Sequence, residues 1–194
     1  MFIIIVIDMT DTDTKAFRDR QWFAFFSHSG AEIVNLSKAL RVKPTKIITN
    51  RPPGHPSIDK RLSNMNVEIV YVSDRPSVED YERILNRCND CVCTLHGWMR
   101  IIPEEICDVY DMYNLHPGLI CEYPELRGAD PQWRVDSDKH DWIGLVIHRV
   151  SPGVDEGQIM ITSKTENIHT CGDQIADTLH DMALDAWIDF LENL

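Results

Sequence analysis

Short runs of Ile, Val, Phe, Tyr and Cys recur along the chain, separated by stretches in which apolar residues return at helical spacing. The runs at 2–7, 22–27, 45–49, 67–72, 91–95 and 110–115 predict strands. Residues 31–41 carry Ile33, Leu36 and Leu40 on one face, which predicts a helix. Residues 78–88 do the same with Val78, Tyr81, Leu85 and Cys88, and Ser77 with Asp80 forms a capping box at the start. Pro103 before Glu104 and Glu105 marks a third helix start, with the acids near its positive end. Beyond residue 115 the pattern changes. Residues 116–134, rich in Pro and Gly, predict a long loop, and strands follow at 143–150 and 158–164. The chain then closes on an amphipathic helix over about 172–192, with Ile175, Leu179, Met182, Ala186 and Phe190 on one side.

This alternation predicts an α/β fold: a Rossmann-like, mostly parallel sheet with helices on both faces, a late antiparallel strand and a C-terminal helix. One domain over 1–194 is expected, with residues 1–20 as an extra N-terminal strand segment. The run Phe2–Ile7 is far too short to cross a bilayer and lacks a basic flank or cleavage site. It reads as a strand that extends the sheet edge or pairs with a partner chain. Lys and Arg total 19 against 31 Asp and Glu, a net charge of −12. That charge argues against a nucleic-acid backbone as partner and for a small polar substrate in a pocket.

The six cysteines show no small-secreted-scaffold spacing, which predicts free thiols in a cytoplasmic protein, monomer or homodimer. Cys88, Cys91 and Cys93 are too few and too isolated for a structural zinc site. They read as a helix end (Cys88) followed by strand positions, and no metal is expected.

In open α/β sheets, ligands bind beyond the carboxyl ends of the strands. Three segments follow strands directly: Ser27–Gly30, His96–Arg100 and Asn114–Pro117. In Asn114-Leu115-His116 both polar side chains share a strand face. Asn offers a neutral donor to a developing oxyanion, and His an acid, base or cation. Between the two late strands, Pro152-Gly153-Val154-Asp155-Glu156-Gly157 places two acids between glycines in a turn. Each segment alone also fits a structural role: a strand-end His, or a tight turn.

Taken in order, Gly97-Trp98-Met99-Arg100-Ile101-Ile102, Asn114-Leu115-His116-Pro117, Tyr123-Pro124-Glu125-Leu126-Arg127-Gly128 and Asp155-Glu156-Gly157 resemble the 10-formyltetrahydrofolate-dependent formyltransferases over roughly 21–192. The resemblance implies transfer of a formyl group from N10 of the folate, a co-substrate, to a substrate amine. It further implies that Asn114 and protonated His116 stabilise the oxyanion. Asp155 would orient the imidazole, favour its protonated form and relay a proton through a bound water. Met99, Arg100, Ile101 and Ile102 would lie along the pteridine, closed over by Val150, Ser151 and Val154. Core packing at a helix start is the alternative reading of Met99, Ile101 and Ile102.

The resemblance is strongest in length to the single-domain glycinamide ribonucleotide enzymes of purine biosynthesis. It departs from them in the loop that binds the substrate phosphate, where His28-Ser29-Gly30-Ala31-Glu32 replaces a Gly-Asn-Gly-Ser-Asn pattern. His28, Ser29 and Gly30 still suit an anion at a helix start. Glu32, at an assumed ~6 Å and an effective dielectric of ~20, would oppose a phosphate by roughly 3 kcal/mol per unit charge. If Glu32 instead points to solvent, the acceptor is glycinamide ribonucleotide or a similar phosphorylated amine, with Pro117 also at its site. If it faces the pocket, an amino sugar or modified nucleoside is expected. The stretch Leu126–Trp133 leans toward the sugar and tRNA branches, and its other reading is a loop entering a helix at Pro131 with Trp133 as a packing anchor. A folate- or nucleotide-binding domain without catalysis is the remaining alternative, since it would share the strand–helix alternation.

Overall fold

The computed structural model describes residues 3–6, 16–86, 88–169 and 171–194. Eight strands form one sheet: β1 (Ile3–Val6), β2 (Gln21–Phe26), β3 (Lys46–Thr49), β4 (Glu68–Tyr71), β5 (Cys91–His96), β6 (Asp111–His116), β7 (Trp142–Arg149) and β8 (Ile159–Glu166). Their order is β1-β8-β7-β6-β5-β2-β3-β4. From β6 to β4 neighbouring strands are parallel, whereas β7, β8 and β1 add on antiparallel. The expected α/β architecture is therefore present. β1 extends the sheet edge by pairing with β8. Phe2 and Ile7, the expected ends of that strand, and most of the segment before Ala16 lie outside the described residues.

The helices are α1 (Ala31–Leu40), α2 (Val78–Leu85), α3 (Glu104–Cys107), α4 (Pro131–Asp138) and α5 (Gly172–Glu192). They bury the two faces of the sheet in separate cores. On β2, Trp22, Ala24 and Phe26 pack into a core that includes Ile33 and Leu36 of α1 and the apolar stripe of α5. Phe23 and Phe25 face the opposite way, into a core with Tyr81 and Leu85 of α2 and Ile106 of α3. A parallel strand covered on both faces needs no polar alternation, which is why Trp22–Phe26 reads as an unbroken apolar run. The expected capping box forms: Asp80 N–H donates to Ser77 Oγ, and Ser77 N–H to Asp80 Oδ2.

Three expectations need correction. The loop expected over 116–134 is interrupted by a 3-10 turn at Pro124–Leu126 and ends at α4, whose first residue is Pro131. Proline suits that position because its missing N–H would have no helical partner there. Trp133 of α4 lies close against Gly172 but is half exposed, so it is a partial anchor. α2 stops at Leu85, and Cys88 lies beyond its end, while Cys91 and Cys93 sit buried on β5. A 3-10 turn at Lys60–Met65 was not anticipated; it buries Leu62 under the start of α1.

The chain runs from β2 outward through β3 to β4, then returns to place β5 on the other side of β2. That reversal opens a crevice at the carboxyl ends of β2 and β5. Gly97, at φ +63°, turns the chain there, and a Cβ on it would meet His28 Cδ2 at 2.9 Å.

Candidate active site

A cavity of about 550 Å³ occupies the carboxyl ends of β5 and β6. It brings together Asn114, His116 and Asp155, which the sequence had singled out on two separate segments. Asn114 and His116 share a face of β6, as period-two alternation requires; Tyr113 and Leu115, at the alternate positions, pack in the core that holds α1 and α5.

Asp155 lies in the turn between β7 and β8, at a positive φ of 52°. This left-handed conformation is uncommon outside glycine, though Asp tolerates it better than most residues. The surrounding turn holds it there. A Cβ on Gly157 would stand 1.6 Å from the Arg149 carbonyl oxygen, so the chain can close behind Asp155 only with glycine. On Gly153 an added Cβ would meet only the Glu156 side chain, which can swing away. We therefore expect Gly157→Ala to lower stability by about 1–3 kcal/mol and to displace Asp155, with Gly153→Ala nearly neutral. Thermal denaturation of the two variants checks this contrast.

His116 is buried, and both its ring nitrogens face acceptors. Nδ1 is 3.1 Å from Asp155 Oδ2, and Nε2 is 2.8 Å from the Leu126 carbonyl oxygen. A carbonyl can only accept, so Nε2 carries a proton. The second Asp155 oxygen faces His148 Nε2 at 3.3 Å and Asn114 Nδ2 at 3.5 Å, while the Gly128 N–H donates to Oδ2 at 2.9 Å. Burial works against charge on Asp155, but the bonds from His116 and His148, the nearby His116 ring and the Gly128 amide outweigh it. Its carboxyl is held well below the usual carboxylate range, and it stays ionised.

His148 is the member that sequence reasoning missed. It is buried on β7 directly opposite Asn114, and its Nε2 lies 3.2 Å from Asn114 Nδ2 and faces Asp155. Its Nδ1 faces the Arg149 carbonyl oxygen at 3.0 Å. The register of β7 against β8 slips at Ile147/His148. Its signal in the sequence was a lone His in an apolar strand, which reads equally well as core.

The segment expected along the pteridine lines the same cavity: Met99, Arg100, Ile101 and Ile102 on one side, Val150, Ser151 and Val154 on the other. Met99, Ile101 and Val154 are at least half exposed there, leaving apolar surface available to a flat ring. Ile102 alone is buried, in the core around α3.

The residues expected at the acceptor divide. His28 and Pro117 line the cavity, whereas Ser29, Gly30 and Glu32 do not. Ser29 Oγ accepts from the Ala31 N–H and so caps α1. Glu32 lies in the first turn of α1, and its Oε2 is 2.5 Å from His96 Nδ1 and accepts from Trp187 Nε1 at 3.2 Å. It joins α1 to β5 and α5, does not line the cavity, and keeps about a fifth of its side chain exposed. Arg100 is the one lysine or arginine among the described residues lining the cavity, and its guanidinium bonds to Asp74 and to the Met99 carbonyl. Asp130, Gln132 and the histidines supply the remaining polar lining.

Among the described residues no group of three His, Cys, Asp or Glu side chains is arranged to hold a metal ion, and no helix is long and apolar enough to cross a membrane.

Known proteins share the sequence family and the fold. A family model described as formyl transferase matches residues 37–189. Methionyl-tRNA formyltransferase of Caldicellulosiruptor saccharolyticus is 27% identical over 113 residues, covering 57% of this chain and 35% of that protein. Phosphoribosylglycinamide formyltransferase of Dictyostelium discoideum is 34% identical over 80 residues, 36% of this chain and 38% of that one. The chain thus matches about a third of the length of these relatives. Among solved structures, glycinamide ribonucleotide transformylase 1 of Symbiobacterium toebii superposes with a TM-score of 0.76 at 16% identity, over 89% of this chain and 86% of that one. The chain belongs to the formyl transferase family.

Proposed function

We propose that the protein transfers a formyl group from 10-formyltetrahydrofolate to the primary amine of a small nucleotide- or sugar-like metabolite. The convergence of Asn114, His116 and Asp155 in one cavity carries this reading. The half-exposed apolar wall of Met99, Ile101 and Val154 suits the pteridine. The amine nitrogen attacks the formyl carbon, and charge develops on the formyl oxygen. Asn114 Nδ2 and the imidazole N–H of His116 are the donors within reach of that oxygen, each typically worth a few kcal/mol. In the present arrangement both rest on protein acceptors, and the reacting oxygen would exchange with those acceptors. Asp155, held ionised, orients the His116 ring at Nδ1 and relays the proton shed by the attacking amine through a bound water. As the C–N10 bond breaks, that proton passes to N10.

For the acceptor, membership of this family and the position of His28 beside the start of α1 support glycinamide ribonucleotide or a similar phosphorylated amine. A second reading, an amino sugar or modified nucleoside, is favoured by the lining charges. Asp130 and Asp155 face the cavity, its one guanidinium is occupied by Asp74, and the Ser29 hydroxyl is spent on the cap.

The test is to incubate the protein with 10-formyltetrahydrofolate and a panel of amines, following loss of the formyl group. Glycinamide ribonucleotide heads the panel, beside amino-sugar nucleotides and amine-bearing nucleosides. Folate binding with no turnover on any amine would instead indicate a binding module. Binding has its own readout, since Trp98 lines the cavity. A reduced-folate analogue is expected to quench intrinsic Trp fluorescence saturably, and Trp98→Phe to remove most of that change.

A further inference from the structure

Arg134 projects from α4 onto the loop that precedes it. Its Nη1 donates to the Glu125 carbonyl, and its Nη2 lies 3.1, 2.9 and 2.8 Å from the carbonyl oxygens of Leu126, Arg127 and Ala129. The guanidinium is thus gathered by four carbonyls of one short loop, a use of its planar fork that a lysine ammonium could not reproduce. The same loop touches the reacting pair twice. The Leu126 carbonyl receives His116 Nε2, and the Gly128 amide donates to Asp155 Oδ2. Arg134 and His116 therefore share the Leu126 oxygen, which has a lone pair for each. Gly128, at φ +84°, turns the chain directly after that amide in a conformation that other residues rarely adopt.

We infer that Arg134 is a positioning residue for the His116–Asp155 pair. By clamping Glu125–Ala129 it presents the Leu126 carbonyl to His116 and the Gly128 amide to Asp155, setting the ring's proton and the carboxylate's direction together. This rests on the reading of that pair as the reacting centre. A purely structural Arg134 would lower stability without altering the His116 ring.

Two measurements on the full chain separate these. The first needs no turnover: NMR of protein carrying 15N-labelled histidine. The wild type is expected to show His116 protonated at Nε2 and slow to exchange, and Arg134→Ala to shift that resonance and speed its exchange. An unchanged His116 signal in Arg134→Ala overturns the inference, even if no formyl transfer is found in the wild type. The second is kinetic. Arg134→Ala is expected to lose about 10²-fold in kcat, as a misplacement on the order of 1 Å can cause, with the folate KM little changed. Arg134→Lys should remain impaired, and added guanidinium ion should restore part of the loss in Arg134→Ala. Wild-type kcat in Arg134→Ala overturns the inference. So does full recovery in Arg134→Lys, since the clamp would then need only a charge. Should Arg134→Ala fail to fold, as near-UV circular dichroism would show, Arg134→Lys carries both measurements. Its His116 signal should shift and its kcat fall, and wild-type values for both overturn the inference.

Discussion

Asp155→Asn and His116→Ala should each lose about 10³-fold or more in turnover with the fold intact, and Asn114→Ala about 10². The ordering follows from what each change leaves behind. Removing Asn114 takes away one neutral donor. Asp155→Asn removes the charge that His116 Nδ1, His148 Nε2 and the Gly128 amide all face, leaving donors gathered around a group that can itself donate. Near-normal turnover in His116→Ala would remove the proposed chemistry altogether. The same site makes a prediction about acid. The Asp155 carboxyl lies below its unfolded value in the folded protein, so the stability it contributes is fully present above the ordinary carboxylate range. It is lost as pH falls through that range toward the depressed folded value, because there the unfolded chain binds the proton first. The stability gap between wild type and Asp155→Asn should therefore narrow from neutral pH to about pH 3, as denaturant melts at each pH would show. A gap that holds constant or widens would mean that Asp155 is not the stabilised anion its surroundings indicate. With its carboxyl held that low, Asp155 stays ionised across the acid limb of the turnover pH profile, which must come from another group.

These three residues could be found in advance because the family resemblance singles out their segments in order, whereas alone each also fits a structural role; His148 lies in none of those segments. Asn114 and His116 are two apart on one strand, where alternation alone puts them on a common face. Asp155 sits in a turn marked by glycines, and at Gly157 the glycine is a steric necessity. His148 gains its meaning only from the pairing of β7 with β6, which sets it opposite Asn114, and from the slip in register beside it. No local pattern carries that information. The fold was legible where apolar runs are strong, in β2, β5 and α5. It was less so over 116–134, which read as one long loop, with the helix start at Pro131 only an alternative that the structure bears out. The role of Arg134 was hidden for a related reason: its partners are backbone carbonyls, which every sequence has.

Glu32 shows the same limit with larger consequences, and it is expected to matter for stability, not for choice of acceptor. In sequence it stands where the resemblance places a phosphate-binding loop before a helix, and its charge there suggested a role in substrate choice. In the structure its Oε2 lies between His96 Nδ1 and Trp187 Nε1, and the contact continues from His96 Nε2 to Thr94 Oγ1 at 2.8 Å. Trp22 Nε1 completes the chain by donating to that hydroxyl at 2.7 Å. Four of these five side chains belong to β2, β5 and α5, so one carboxylate ties the start of α1 to the sheet and to the C-terminal helix. Glu32→Ala leaves the His96 ring and the Trp187 N–H without an acceptor among buried groups. That should cost about 2–4 kcal/mol, or roughly 5–15 °C in melting temperature for a chain of this size. Glu32→Gln keeps an acceptor oxygen and should lose about half as much. The ranking of amines as acceptors should be the same in both variants as in the wild type. If the ranking changes while the melting temperature holds, Glu32 faces the substrate after all. A lower melting temperature with an unchanged ranking places it in the framework that holds the end of β5, and with it Gly97 and the wall of the cavity.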